Sequence, residues 1–116
     1  CIPMSSLSFL EKTYLNWSVL SVDGQIDSKT VGEFKEALDQ KLLTSKCLAI
    51  DFTLVRFMSS AGLRALLVLH HQTSSQGLSL VFVGINEDIQ DVMRVTGFHQ
   101  HFTLVSSLDE LQPAVQ

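Results

Sequence analysis

Two short apolar runs, Cys47 to Phe52 and Leu78 to Val83, constrain this chain more than any other feature. Each is too short for a buried helix and suits a strand covered on both faces. Covering such strands takes helices, and the neighbouring segments have the right pattern. Between the runs, Ala61 to Thr73 favours a helix with Leu63, Leu66 and Leu67 on one stripe, closed near Gly77. Before them, Thr30 and Glu33 form a capping-box pair around Val31, and Phe34, Leu38 and Leu42 continue at helical spacing. After them, Glu87 to Thr96 carries Ile89, Val92 and Met93 at helical spacing and stops at Gly97.

The ends complete the series. Ser6 to Thr13 and Ser18 to Asp23 read as two strands joined by a hairpin around Asn16, and Gly24 breaks the pattern. Phe102 to Val105 offers a last short strand, and Ser107 with Glu110 marks the start of a terminal helix. The order β-β-α-β-α-β-α-β-α predicts an α/β fold with a mixed sheet, its later strands parallel and joined by right-handed crossovers.

With 116 residues, 46% of them hydrophobic, the chain is expected to form one domain over residues 1–116. The longest apolar stretch, Ala65 to Leu69, is far too short for a membrane span, so no membrane helix is expected. Cys1-Ile2-Pro3-Met4 lacks the basic start and long apolar run of a secretory signal, and Met4 is a candidate natural start. The two cysteines, Cys1 and Cys47, have neither metal-ligand spacing nor a disulfide framework, which points to a reducing, cytoplasmic setting. A net charge of −4 and eight scattered basic residues argue against nucleic acid or an anionic membrane as partner.

In open α/β sheets, sites form where strand ends lead into helix N-termini. After Asp51 the chain reads Phe52-Thr53-Leu54-Val55-Arg56-Phe57-Met58-Ser59-Ser60-Ala61-Gly62-Leu63, a loop that puts Ser59 and Ser60 where a helix begins. Unpaired N–H groups and the helix dipole would accommodate a phosphate on Ser60 without melting the helix. The added charge of about −1.5 to −2 would change the surface offered to a partner. Taken alone, the same serines read first as plain helix caps.

This segment resembles the STAS family signature, Asp-Leu-Ser/Thr-x-Val-x-Phe-Met/Ile-Asp/Ser-Ser-Ser/Ala-Gly-Leu. Gly24-Gln25-Ile26-Asp27 is similar to the family's Gly-x-Leu/Ile-Asp step, and Gly97-Phe98 falls where the family often has Gly-Leu. The resemblance covers nearly the whole chain. It implies an anti-sigma factor antagonist that is not an enzyme and has no cofactor. Unphosphorylated, such a protein binds an anti-sigma factor that is also a serine kinase; phosphorylated on Ser60, it lets go, and a phosphatase resets it. The kinase brings ATP and Mg²⁺. Asp27, Ser59, Ser60 and Arg64 are the implied partner contacts.

Two positions depart from the family's best-known switches: Ser59 replaces an acidic residue, and Arg64 replaces a glycine. A docking module of a transporter, lipid-transport or stressosome assembly, not phosphorylated, is therefore the alternative. A third reading, a small-ligand domain using the same helix N-terminus for an anion, lacks a Gly-rich phosphate loop. Arg64, four residues after Ser60, shares its helix face and is placed to clamp an anion or lie solvated. Asp27 has a structural reading too, ordering the helix entrance.

Other chemistry finds less support. Asp51 sits as the phosphoacceptor of a response-regulator receiver does, yet no acidic pair follows the first strand and no lysine a late one, leaving a role in ordering the loop. His99 and His101 could share a strand face, but two imidazoles without a Cys or carboxylate read as surface histidines, and no metal is expected. Ser60 has no base at a recognisable spacing for hydrolase chemistry.

Overall fold

A computed structural model describes residues 7–113. Strands β1 (Ser8–Tyr14) and β2 (Trp17–Ile26) form a hairpin, followed by α1 (Val31–Thr44), β3 (Cys47–Met58), α2 (Ser60–Gln76), β4 (Ser79–Val83), α3 (Glu87–Thr96) and β5 (Leu104–Val105). Short 3₁₀ turns cover Phe98–His101 and Leu108–Glu110. The five strands lie in the order β1-β2-β3-β4-β5, the first pair antiparallel and the rest parallel. This is the mixed α/β sheet expected from the apolar pattern.

Because every parallel strand is added on the same side of the last, right-handed crossovers place all the helices on one face. The main core lies there: Leu20, Val22, Ile26, Leu48, Ile50 and Phe52 of the strands meet Phe34 and Leu38 of α1, Leu66 and Leu69 of α2, and Ile89 and Met93 of α3. Phe52 sits at its centre, edge-on to both Phe34 and Phe82. The opposite face carries a smaller cluster of Trp17, Val19, Cys47, Ala49, Val81 and Val83. Cys47, Leu48, Ala49 and Ile50 are all buried, as a strand with two covered faces requires.

What covers the helix-free face is the C-terminal segment, and here the structure departs from expectation. Instead of a helix from Ser107, the chain makes one 3₁₀ turn, with Leu111 N–H donating to Leu108 C=O at 3.0 Å. Leu108 and Leu111 pack on the small cluster, and the Trp17 indole donates to Gln112 C=O at 2.7 Å. Pro113 disfavours helical geometry at Gln112, so the helix cannot propagate. Residues 114–116, and Ser6 of the first predicted strand, lie outside the described residues.

Two further differences concern the ends of elements. The capping box does not form: the buried Thr30 hydroxyl donates to Gln25 C=O at 2.7 Å and accepts from Asp27 N–H at 3.0 Å, with no bond to the helix N–H groups. His99 and His101 lie on the 3₁₀ turn before β5, so they do not share a strand face. Gly77 and Gly97 do close α2 and α3, at φ of 71° and 80°.

Trp17→Phe should release the C-terminal segment, costing roughly 1–2 kcal/mol for the lost hydrogen bond and packing. Urea unfolding and faster amide exchange at Leu111 would register it. On the other face, burial and then the nearby His101 and His71 charges hold the His70 imidazole below its ordinary 6.5. Between 6.5 and that lowered value the unfolded chain binds the extra proton, so this contribution is complete above 6.5 and fades as pH falls. Denaturation midpoints from pH 8 to pH 5 should drop, and His70→Gln should flatten the slope.

Candidate functional site

β3 runs well past the end of its partner β4. Its last pairing with β4 is Asp51 opposite Val83, whereas it stays paired with β2 as far as Met58 opposite Ile26. The segment read as a loop after Asp51 is therefore strand. Two register shifts, between Ser21 and Asp23 and between Gly24 and Ile26, break the period-two alternation that marks a strand. Phe52, Val55 and Met58 point into the core, while Leu54 and Phe57 stand 59% and 51% exposed. Asn86 holds the unpaired side of this extension. Its side chain donates to Arg56 C=O at 3.0 Å and accepts from Ile89 N–H at 2.9 Å, capping α3. Only the fold reveals this role, because Arg56 is remote in sequence.

The strand pair ends in one hydrogen bond that defines the site. Ser59 N–H donates to Ile26 C=O at 2.8 Å, bringing the start of α2 beside the turn that begins at Asp27. Asp27 is half-buried, and its Oδ1 accepts from Lys29 N–H at 2.9 Å and Thr30 N–H at 3.1 Å. One carboxylate oxygen thus orders the entrance to α1, the structural role anticipated for this residue.

The two serines differ. Ser59 takes the N-cap position at φ −79° and ψ 175°, and its C=O accepts from Leu63 N–H at 3.1 Å. Its Oγ makes no cap bond and is buried without a hydrogen-bond partner among the described residues. Ser60 is the first residue of α2 and is exposed. Arg64 is exposed on the same helix and has no ion pair among the described residues. The structure thus gathers Asp27, Ser59 and Ser60 at one end of the sheet, with Arg64 one turn along α2.

Behind them the helix must come very close to the strand ends. A Cβ at Gly62 would lie 2.5 Å from Met58 Cγ and 2.7 Å from Ile26 Cγ2, both side chains being buried. Gly62→Ala should therefore push α2 off Ile26 and Met58, at a cost of about 1–3 kcal/mol. The check is chemical denaturation, together with amide shifts at Asp27 and Ser60.

Asp51 is not part of this arrangement. Its Oδ1 accepts from Thr53 N–H at 3.0 Å and Thr53 Oγ–H at 2.5 Å, and Oδ2 from Ser21 Oγ–H at 3.4 Å. It orders the strand where β4 drops away. It also borders a concavity of about 470 Å³ on the helix-free face, with Lys12 and Asp23. Among the described residues, no three or more His, Cys, Asp or Glu side chains converge to hold a metal ion, and no helix is long and apolar enough to cross a membrane.

Comparison with known proteins agrees with this architecture. An anti-sigma factor antagonist from Mycobacterium paratuberculosis superposes with a TM-score of 0.81 and 25% identity, over 93% of this chain and 92% of that one. The phosphorylated form of the Bacillus cell fate determinant SpoIIAA matches at TM-score 0.66 and 12% identity, over 88% of this chain and 95% of that one. The murine anion transporter Slc26a9 matches at TM-score 0.73 and 15% identity, over 90% of this chain but 21% of the transporter. The family model of the STAS domain matches residues 9–111. With its sheet, its one-sided helices and its serine-bearing turn accounted for, the chain belongs to the STAS domain family.

Proposed function

We propose that this chain is an anti-sigma factor antagonist: a cytoplasmic, non-enzymatic protein-binding switch whose state is set by phosphorylation of Ser60. Unphosphorylated, it engages an anti-sigma factor that is also a serine kinase; phosphorylated, it releases that partner until a phosphatase removes the group. The observation that carries this reading is the contrast between two adjacent hydroxyls. Ser60 is open to an approaching kinase at the first position of α2, while the Ser59 Oγ is buried. A kinase must seat its acceptor oxygen in line with the γ-phosphate of ATP, and a buried oxygen cannot be so placed.

The electrostatics suit a switch that works without unfolding. A phosphate on the first helical residue lies at the positive end of the dipole, near free N–H groups, so α2 tolerates it. A partner docked on Asp27, Ser59, Ser60 and Arg64 would have to desolvate that charge. Arg64, four residues on, is placed to offer a charge-assisted hydrogen bond either to the phosphate or to an acidic group of the partner.

A second reading, a constitutive docking module that is not phosphorylated, is favoured by one observation: Ser59 stands where the best-known switches have an acid. The match to a transporter many times longer is consistent with it.

Incubation with the cognate kinase and ATP, followed by mass spectrometry, should place phosphate on Ser60 and none on Ser59. Ser60→Asp should weaken partner binding at least tenfold, roughly 1.4 kcal/mol, while Ser60→Ala binds and resists phosphorylation. If no phosphate forms and Ser60→Asp binds like the parent, the docking module replaces the switch. Arg64→Ala should lower partner affinity or phosphorylation rate by about threefold to tenfold, the worth of one charge-assisted bond at an exposed site. Unchanged values for both would remove Arg64 from the mechanism.

A further inference from the structure

Away from the serines, three imidazoles gather at the second half of α2. His70 and His71 belong to the helix, and His101 comes from the 3₁₀ turn Phe98–His101. The ring centre of His70 lies 5.4 Å from that of His101 and 5.7 Å from that of His71. Phe102 meets His70 edge-on at 5.9 Å. A cavity of about 140 Å³ adjoins the pair, bordered also by Thr73, Ser74 and Thr103. His99 places Nδ1 3.4 Å from Met93 C=O, but no ring nitrogen of His70, His71 or His101 has a hydrogen-bond partner among the described residues.

Two imidazoles with ring centres 5.4 Å apart, neither bonded to another described residue, bring a pair of nitrogen donors close together. We propose that His70 and His101 form a two-imidazole site for a borderline transition-metal dication, Zn²⁺ or Cu²⁺, which clips α2 to the turn preceding β5. The spacing fits. A metal bound about 2.1 Å from each ring nitrogen lies about 3.2 Å from each ring centre, and tetrahedral ligation then separates the centres by roughly 5.2 Å. The protein supplies two donors, and water in the adjoining cavity completes the coordination.

The clip would act where the sheet is weakest. β5 pairs with β4 through only Phe82 opposite Leu104 and Val83 opposite Val105, and the C-terminal segment that covers the helix-free face follows directly. Fixing His101 to α2 restrains the chain just before that strand. The inference is independent of any role for Ser60.

The test is calorimetric titration of Zn²⁺ and of Cu²⁺ into tag-free protein carrying Cys1→Ser, so that the terminal thiol cannot compete, with imidazole resonances followed by NMR. One saturable site is expected, moving the ring signals of His70 and His101 and slowing amide exchange at Leu104 and Val105. His70→Gln and His101→Gln should each weaken binding at least tenfold, since losing a direct ligand costs no less than losing an outer-shell partner; His99→Gln should not. His101 is exposed, so that variant keeps the fold and decides the matter even if His70→Gln does not. Absence of saturable binding at about 1 mM metal, or unchanged affinity in the His101→Gln protein, overturns the proposal.

Discussion

Strand β3 extends seven residues beyond Asp51, its last partner in β4, while staying paired with β2, and the last bond in that direction is Ser59 N–H to Ile26 C=O. Most of the geometry at this end of the sheet follows from this one ladder, which persists through two register shifts. It carries the start of α2 to the same end of the sheet as the turn after β2, so that Ile26 and Ser59 become neighbours although far apart in sequence. It also leaves β3 with a free side, which Asn86 spans while capping α3. Gly62 is needed because the helix begins against the very strand ends that the ladder brings together.

The sheet is one-sided. Adding parallel strands always in the same direction sends every crossover helix to one face, and among the described residues the other is closed by Trp17 and Tyr14 with the segment around Leu108 and Leu111. The main core therefore anchors α2 firmly through Leu63, Leu66 and Leu69, while the C-terminal closure rests on a small cluster and one indole hydrogen bond. A surface reaction at the first residue of α2 meets a rigid support. Under the proposed switch, charge added there would change what a partner must desolvate rather than how the chain folds, because the helix N-terminus already favours an anion.

Much of the architecture is legible in the sequence because its signals are local. Gly77 and Gly97 stop their helices by taking the left-handed conformation that L side chains resist, and the apolar run from Cys47 reads as a doubly covered strand because it is one. Where two groups compete for the same partner, local reading falters. Thr30 and Glu33 have the spacing of a capping box, yet the Thr30 hydroxyl is taken by Gln25 C=O and Asp27 N–H. The outer half of β3 reads as a loop because its register shifts erase the alternation by which strands are recognised. Ser107 and Glu110 look like a helix start, but Pro113 and the apolar face waiting for Leu108 and Leu111 hold the chain to a single 3₁₀ turn.

The sequence by itself determined the α/β order, the helix-capping glycines and the placement of Ser59 and Ser60 at the head of a helix, since each depends on residues within a few positions of one another. Only the tertiary structure decided which serine is exposed, that Asp27 spends a carboxylate oxygen on the α1 entrance, and that His70 meets His101. Those outcomes are set by strand register and by the packing of α2 on the sheet, which join residues that no local period connects.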